Sequence, residues 1–290
     1  MGDSCCSEHS MGAVADSIRQ ALPGTYVHSI ATGQGESADV LSSYFGSVNA
    51  QVAAVCDELL GMQELKDGFV AVGFSQGGQF LRAVAQRCQH LGPSMHSLVT
   101  VGAQHQGVMA VPGCLQGGDA NSTLYCRIMQ GLIGRGAYSW LVQGHVVQAQ
   151  YVKDPWHLDL YLQRSLFLAD LNNEVAAARK RRYHDNLASL HRLVLFQFDA
   201  DEMVVPKESS HFGFFNGSHL VPLREQPLYA QDWLGLRALD EAGRLELLHA
   251  PGAHMRFSLA WFQQAVVVPY LAVPAPAAAA GAAAGAASRR

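Results

Sequence analysis

A serine in a glycine-rich turn is the first residue of this sequence whose surroundings suggest chemistry. Residues 73–77 read Gly-Phe-Ser-Gln-Gly and fit the G-x-S-x-G pattern, in which the serine occupies a sharp turn between a strand and a helix. The segment follows a predicted strand and opens a predicted helix. Side chains two residues before and after the serine would collide in such a turn, so we expect glycine to be required at positions 73 and 77. Ser75 is therefore predicted to be a nucleophile.

Serine is a weak nucleophile, so it needs a base and a carboxylate that orients the base. In the α/β-hydrolase pattern the acid comes next in the chain, just past a strand. Asp201 lies three residues beyond the predicted strand 193–198. Asp199 is nearer the end of that strand and competes for the role. We favour Asp201 as the acid.

The base is expected last in the chain, after another strand. His254 lies five residues beyond the predicted strand 245–249, in a Pro-Gly-Ala-His loop. His249 competes, but a histidine that ends a strand is more often structural. The favoured order Ser75, Asp201, His254 is the order that this fold requires.

The oxyanion of an acyl-transfer reaction needs two backbone N–H donors. One is expected from Gln76, the residue after the nucleophile, and the other from a loop that follows an early strand. Upstream of residue 10 the only candidate loop is the start of the chain, which reads Met-Gly-Asp-Ser, and no strand stands before it. From these residues alone, only one of the two donors is in place.

Short apolar runs alternate with helical stretches, which predicts an α/β fold with a mostly parallel central sheet. Strands are predicted at residues 26–30, 68–72, 98–101, 193–198 and 245–249, and helices at 11–22, 48–60, 80–88 and from 258. The stretch from about 108 to about 190 lies between the nucleophile and acid strands and is interpreted as an insertion. We expect one domain over residues 1–272.

Composition limits the classes of function. The net charge is −4, and the 49% hydrophobic content is typical of a globular core. The acidic balance argues against nucleic-acid binding. No signal peptide is visible at the start. Residues 273–290 form an Ala/Pro-rich low-complexity tail, and prolines interrupt the uncharged stretch 265–287, so no membrane span is predicted.

Six cysteines lie in the first 126 residues: Cys5, Cys6, Cys56, Cys88, Cys114 and Cys126. None forms a C-x-x-C pair, so no metal site is expected. The even number fits either three disulfides in an oxidising compartment or six buried thiols in a cytosolic enzyme. Asn121 and Asn216 begin glycosylation sequons.

The sequence resembles the palmitoyl-protein thioesterases. The resemblance is carried by the opening Met-Gly-Asp-Ser-Cys-Cys, by the long block at 73–88, and by Gln-His-Gln-Gly-Val at 104–108. Further matches are Phe-Leu-Ala-Asp at 167–170 and Tyr-Ala-Gln-Asp-Trp-Leu-Gly-Leu at 229–236. The resemblance as a whole extends from the first residue to about residue 271.

The resemblance implies an α/β-hydrolase that removes long-chain acyl groups, chiefly palmitate, from cysteine thioesters of proteins or peptides in the lysosomal lumen, or as a secreted protein. No cofactor is implied. By resemblance the insertion forms a groove for the acyl chain. The implied site residues are the triad Ser75, Asp201 and His254, the oxyanion donors Met1 and Gln76, and the disulfides Cys5–Cys6, Cys56–Cys88 and Cys114–Cys126.

Three departures separate this sequence from the resemblance. In the family a signal peptide, a first strand and Trp-His-Gly precede the Met-Gly-Asp, so we expect the sheet to lack its first strand. Ala200 stands where the family has an asparagine before the triad acid. The alanine-rich tail has no counterpart. Two alternatives stay open: a general lipase or carboxylesterase, and an N-terminally truncated, inactive acyl-binding form.

Overall fold

A computed structural model describes residue 7, residues 10–109 and residues 136–272. Within them, four parallel strands form a sheet in the order β1-β2-β3-β6, and two short antiparallel strands form a separate hairpin. The strands are β1 (Phe69–Phe74), β2 (Met95–Val101), β3 (Arg192–Phe198), β4 (Phe214–Phe215), β5 (Leu220–Val221) and β6 (Leu245–Ala250).

Helices cover the sheet and connect its strands. They are α1 (Met11–Ala21), α2 (Glu36–Ser42), α3 (Val48–Gly61), α4 (Gln76–Cys88), α5 (Trp140–His145), α6 (Leu158–Arg164), α7 (Leu168–Leu171), α8 (Arg181–Ala188), α9 (Pro227–Ala230), α10 (Leu236–Glu241) and α11 (Leu259–Phe262), which continues as a π-helix (Gln263–Leu271). None of the described helices is long and apolar enough to cross a membrane.

The two central strands are buried on both faces, which is typical of a parallel sheet covered by helices. In β3 every residue after Arg192 is buried, and in β2 only His96 is exposed. Leu98 and Leu193 belong to the hydrophobic cluster on one face, whereas Val99 and Val194 belong to the cluster on the other. These continuous apolar runs hold the sheet in the core. The sheet in turn positions the strand ends that carry the predicted site.

The predicted fold class is confirmed: a mostly parallel sheet is flanked by helices, as in an α/β-hydrolase. The four predicted strands from residue 68 onward are all present, each within three residues of its predicted bounds. The strand predicted at residues 26–30 is wrong. Among the described residues this segment pairs with no strand, and it lines a cavity of about 620 Å³ together with residues of β1. Apolar alternation favours an extended chain, but a strand also needs a neighbour to pair with.

One of the implied disulfides is confirmed. Cys56 on α3 and Cys88 at the end of α4 are bonded, with their Cα atoms 6.0 Å apart. This bond joins α4, which begins directly after Ser75, to α3, which packs beside it. Cys5, Cys6, Cys114 and Cys126 lie outside the described residues, as do Asn121 and the tail 273–290.

Residues 136–188 lie between β2 and β3 and contain four short helices. The sequon residue Asn216 is exposed in the turn between β4 and β5, where its side-chain oxygen accepts hydrogen bonds from the N–H groups of Ser218 and His219. Both its use for glycosylation and the predicted domain boundaries stay predictions.

Candidate active site

Ser75 occupies a strained turn between β1 and α4. Its φ of 49° and ψ of −122° place a non-glycine residue at positive φ, which costs about 1–3 kcal/mol and persists only where the surrounding structure enforces it. The enforcement is visible, because the Ser75 N–H donates to the carbonyl of Val101 at the end of β2, at 2.9 Å. The turn presents the serine side chain at the carboxyl edge of the sheet.

Two glycines make this turn possible. A Cβ on Gly73 would lie 2.5 Å from the Cα of Gly78, and a Cβ on Gly78 would lie 2.7 Å from the Cβ of Ala103. A Cβ on Gly77 would meet nothing within 4 Å. The predicted requirement is thus met at position 73 and is wrong at position 77, because the first turn of α4 directs position 78, not 77, against the loop after β2.

The predicted base and acid both reach the serine. His254, in the loop after β6, places Nε2 2.9 Å from Ser75 Oγ and Nδ1 2.7 Å from Asp201 Oδ2. An ionised carboxylate only accepts hydrogen bonds, so the pairing assigns the histidine proton to Nδ1 and leaves Nε2 free to accept from the serine hydroxyl. The three side chains form one continuous hydrogen-bonded chain.

Burial fixes the acid end of this chain. The Asp201 side chain is 0% exposed, and that of His254 is 12% exposed. The other carboxylate oxygen of Asp201 accepts from the N–H groups of Met203 and Val204, each at 2.9 Å. These two bonds fix the orientation of the carboxylate, so that its other oxygen faces His254.

The rival acid and base are paired with each other. His249 Nδ1 lies 2.8 Å from Asp199 Oδ1, and both side chains are more than half exposed. Asp199 follows the same strand as Asp201, and His249 lies near the end of the strand that His254 follows. Neither Asp199 nor His249 is hydrogen-bonded to Ser75. The structure therefore brings the favoured residues to the serine and leaves the rivals at the surface.

Gln76 is the first residue of α4, and its backbone N–H is one of the four at a helix start that have no acceptor within the helix. Such N–H groups, with the helix dipole behind them, favour negative charge. The Gln76 side chain is held from the other side by Tyr151 and by the Ser43 carbonyl, both at 3.4 Å. Met1, the other predicted donor, lies outside the described residues.

A buried polar network beneath the turn was missed by sequence reasoning. The guanidinium of Arg82, on α4, donates to Gln86, to the His105 carbonyl and to Asn172, and lies 5.0 Å over the ring of Phe212. Burial lowers the pKa of Arg82 to about 9. The network ties α4 to the loop after β2 and to the segment between β2 and β3.

The signal for this network was present in the sequence. Gln79, Arg82 and Gln86 are three and four residues apart, so they share one face of α4. All three are buried, and Gln79 donates to the carbonyl of Gln104 at 2.6 Å. Polar residues at helical spacing directly after a nucleophile turn would have indicated a buried polar face.

No group of three His, Cys, Asp or Glu side chains that could hold a metal ion occurs among the residues that the structure covers. What the site offers is a hydroxyl, an imidazole, a buried carboxylate and the N-terminus of a helix. This combination can activate a serine for attack on a carbonyl carbon and stabilise the resulting charge.

Comparison with known proteins places the sequence among similar chains. The palmitoyl protein thioesterase family matches residues 1–254. Palmitoyl-protein thioesterase 1 of Caenorhabditis elegans is 44% identical over 88% of this chain and 84% of its own length. A palmitoyl-protein thioesterase-dolichyl pyrophosphate phosphatase fusion of Schizosaccharomyces pombe is 34% identical over 88% of the chain and 40% of its own length. The lysosomal thioesterase PPT2 homolog of Drosophila melanogaster is 28% identical over 90% and 87%.

Proposed function

Because the chain belongs to the palmitoyl protein thioesterase family, we propose that it hydrolyses palmitoyl and similar long-chain thioesters of cysteines in S-acylated proteins or peptides. Ser75 is the nucleophile, His254 the general base and acid, and Asp201 the residue that orients the histidine. The observation that carries the proposal is the hydrogen-bonded chain from Ser75 Oγ through His254 to Asp201, with distances of 2.9 and 2.7 Å.

In the first half of the reaction, Ser75 Oγ attacks the thioester carbonyl carbon as its proton passes to His254 Nε2. Asp201 stabilises the imidazolium that forms. The carbonyl oxygen becomes an oxyanion, which the Gln76 N–H stabilises. The carbon–sulfur bond then breaks, the histidine proton neutralises the departing thiolate, and the acyl group remains on Ser75 as an ester.

Water completes the cycle through the same groups. His254 takes a proton from the water as its oxygen attacks the acyl carbon, and a second oxyanion forms in the same place. The bond to Ser75 Oγ breaks, and the proton returns to the serine. The products are a free fatty acid, a free cysteine thiol and the unchanged enzyme.

The proposed place of action is the lysosomal lumen. Two observations support it: a similar protein of Drosophila melanogaster is named a lysosomal thioesterase, and Cys56 and Cys88 form a disulfide. Disulfides persist mainly in compartments outside the reducing cytosol.

The test compares three substrates with the purified full chain: an S-palmitoyl peptide, the matching O-palmitoyl serine peptide and a triacylglycerol. We expect the thioester to be cleaved with the highest kcat/KM, and the His249→Gln variant, altered at the rival pair, to keep that preference. A higher kcat/KM on triacylglycerol would assign the chain to the lipases. Cleavage of none of the three would contradict the proposal.

A further inference from the structure

Seven large apolar side chains, together called the apolar surface, are exposed on three segments of the protein. They are Leu41 and Phe45 in and just after α2, Trp140 and Leu141 on α5, and Leu158, Leu162 and Leu166 on and just after α6. Trp140 is 74% exposed, more than any other large apolar side chain among the described residues. Single apolar residues are ordinary on a protein surface, whereas a contiguous patch marks an interaction site.

Hydrogen bonds hold the three segments side by side. The N–H of Gly46 donates to the carbonyl of His145, the last residue of α5, at 2.9 Å. The side chain of Asn49 donates to the carbonyl of Leu166 at 2.8 Å, and the N–H of Leu166 donates to the side-chain oxygen of Gln143 at 3.0 Å. The exposed side chains therefore belong to one region of the surface.

The apolar surface borders the active site. Ser43 lies between Leu41 and Phe45 in the chain, and its carbonyl accepts from the side chains of Gln76 and Gln148, at 3.4 and 3.1 Å. Gln76 directly follows the nucleophile. Whatever the apolar surface contacts is thus brought next to the turn that carries the reactive serine.

The size and chemistry of the apolar surface favour a lipid over a protein partner. Its exposed fractions correspond to about 700 Å² of accessible area, above the roughly 300–600 Å² of the largest patch on an ordinary monomer. A stable dimer needs about 800 Å² from each copy, with about one hydrogen bond per 100–200 Å². The seven side chains offer one donor, the indole N–H of Trp140. Tryptophan is enriched where hydrocarbon meets water in a bilayer, so a lipid surface is the better match.

Charged groups around the apolar surface do not select one sign of lipid charge. On α6, Asp159 and Arg164 are both exposed and opposite in charge. His157 is paired with Asp154 at 2.8 Å, and His145 is exposed at the end of α5. The attraction should therefore come from the burial of apolar area, which salt does not screen as it screens exposed charges.

We propose that the apolar surface docks on a phospholipid bilayer and holds the active site beside it. Trp140, Leu141 and Phe45 enter the boundary between headgroups and acyl chains, to a depth of about 5–10 Å. The benefit to catalysis rests on the proposed function: a palmitoyl chain partitions into a bilayer, so a docked enzyme meets the thioester where its substrate resides. Docking itself does not depend on that activity.

Flotation of the full chain with phosphatidylcholine vesicles tests docking without any substrate. We expect the chain to rise with the vesicles, and its partition coefficient to change by less than about twofold between about 0.05 and 0.5 M NaCl. The double variant Trp140→Ser/Leu141→Ser should partition at least about 10-fold less, because two inserted apolar side chains are replaced by small polar ones.

Leu91→Ser is the matched control. Leu91 is 55% exposed, against 56% for Leu141, but it follows the end of α4 that lies farthest from the nucleophile. This variant should partition within about twofold of wild type, since it alters an apolar residue outside the patch. The Tm of each variant verifies that it is folded.

Kinetics separate docking from the chemistry of the site. In the double variant, kcat/KM on an S-palmitoyl peptide embedded in vesicles should fall at least about 10-fold more than kcat/KM on a soluble S-butanoyl peptide. Equal losses on the two substrates would place Trp140 and Leu141 in the acyl site and overturn the proposal. A wild-type chain that floats with vesicles but cleaves neither substrate would contradict the proposed function and support the docking.

The absence of flotation in the wild type, or an equal loss of partitioning in Leu91→Ser, would overturn the proposal. Partitioning that requires anionic lipid and low salt would do the same. Sedimentation velocity tests the remaining alternative: a wild-type dimer that the double variant converts to a monomer would assign the apolar surface to a second copy of the chain, and a monomer in both supports the lipid.

Discussion

Two Asp–His pairs lie at the carboxyl ends of β3 and β6, and their hydrogen-bond distances are nearly identical. Nδ1 of His254 is 2.7 Å from Asp201, and Nδ1 of His249 is 2.8 Å from Asp199. Their surroundings differ: the first pair is almost fully buried and reaches Ser75, whereas the second is more than half exposed and has no nucleophile hydrogen-bonded to it.

Two pairs of the same residue types at the same strand ends thus differ in burial and in contact with Ser75. An exposed pair gains little from its charges, because water competes for both partners and salt screens them. A buried pair is held by further hydrogen bonds, here from the N–H groups of Met203 and Val204 to Asp201. We propose that enclosure and the strained turn at Ser75, rather than the Asp–His contact itself, separate the functional pair from the other one.

Removing the nucleophile should have the largest effect. Without the Ser75 hydroxyl the buried pair has no group to activate, so Ser75→Ala should lower kcat on an S-palmitoyl peptide by about 10⁴-fold or more. The comparison is made against His249→Gln, which should stay within about twofold of wild type. Activity retained in Ser75→Ala would remove the distinction between the two pairs.

Changing each acid in turn tests the pairs directly. Asp201→Asn should lower kcat by about 10⁴-fold, since an amide neither stabilises the imidazolium nor fixes its tautomer. Asp199→Asn makes the same chemical change at the exposed pair and should leave kcat within about twofold. Steady-state kinetics on one substrate measure both variants. Equal losses in the two would show that burial does not decide the role.

The turn that brings Ser75 to the buried pair can be tested by stability. Gly78→Ala places a Cβ 2.7 Å from that of Ala103, and crowding of this kind costs about 1–3 kcal/mol of unfolding free energy. Gly77→Ala meets nothing within 4 Å and should not lower stability, since alanine suits a helix better than glycine does. Urea unfolding of the two variants gives the comparison. Equal stability losses in both would contradict the geometry.

His105 is a third case, a buried histidine that is not paired with a carboxylate. His105 is fully buried and stacked on Phe212. Burial, and then the nearby Arg82 charge, hold the pKa of His105 well below its usual value. Below about pH 6.5 His105 therefore binds a proton in the unfolded chain but not in the folded one. As the pH decreases, the unfolding free energy decreases by up to about 1.4 kcal/mol per pH unit.

His105→Gln should flatten this decline. Unfolding curves between pH 7 and pH 5 measure the slope, and the variant should lose stability less steeply than wild type over that range. An unchanged slope would mean that other groups govern the acid sensitivity of the fold.

Much of the site could be predicted because it depends on local order in the chain. Ser75, Asp201 and His254 each follow a predicted strand, and parallel strands bring their carboxyl ends to one edge. The preference for His254 over His249 likewise rested on position relative to a strand end. The structure agrees with each of these placements.

What could not be predicted depends on contacts between distant segments. A strand at residues 26–30 would need a pairing partner, and a local sequence pattern does not indicate whether one is present. The need for glycine at position 78, and not at 77, comes from Ala103, which lies on another loop. The buried network around Arg82 involves Asn172, 90 residues further along the chain.

The most direct test of the central claim is the site and rate of labelling by a long-chain alkyl fluorophosphonate, which forms a stable bond to an activated serine as fluoride leaves. After digestion, mass spectrometry should find one adduct, on Ser75. The labelling rate should persist in His249→Gln and Asp199→Asn and fall by orders of magnitude in His254→Gln. An adduct on another serine, or labelling as fast without His254, would contradict the account.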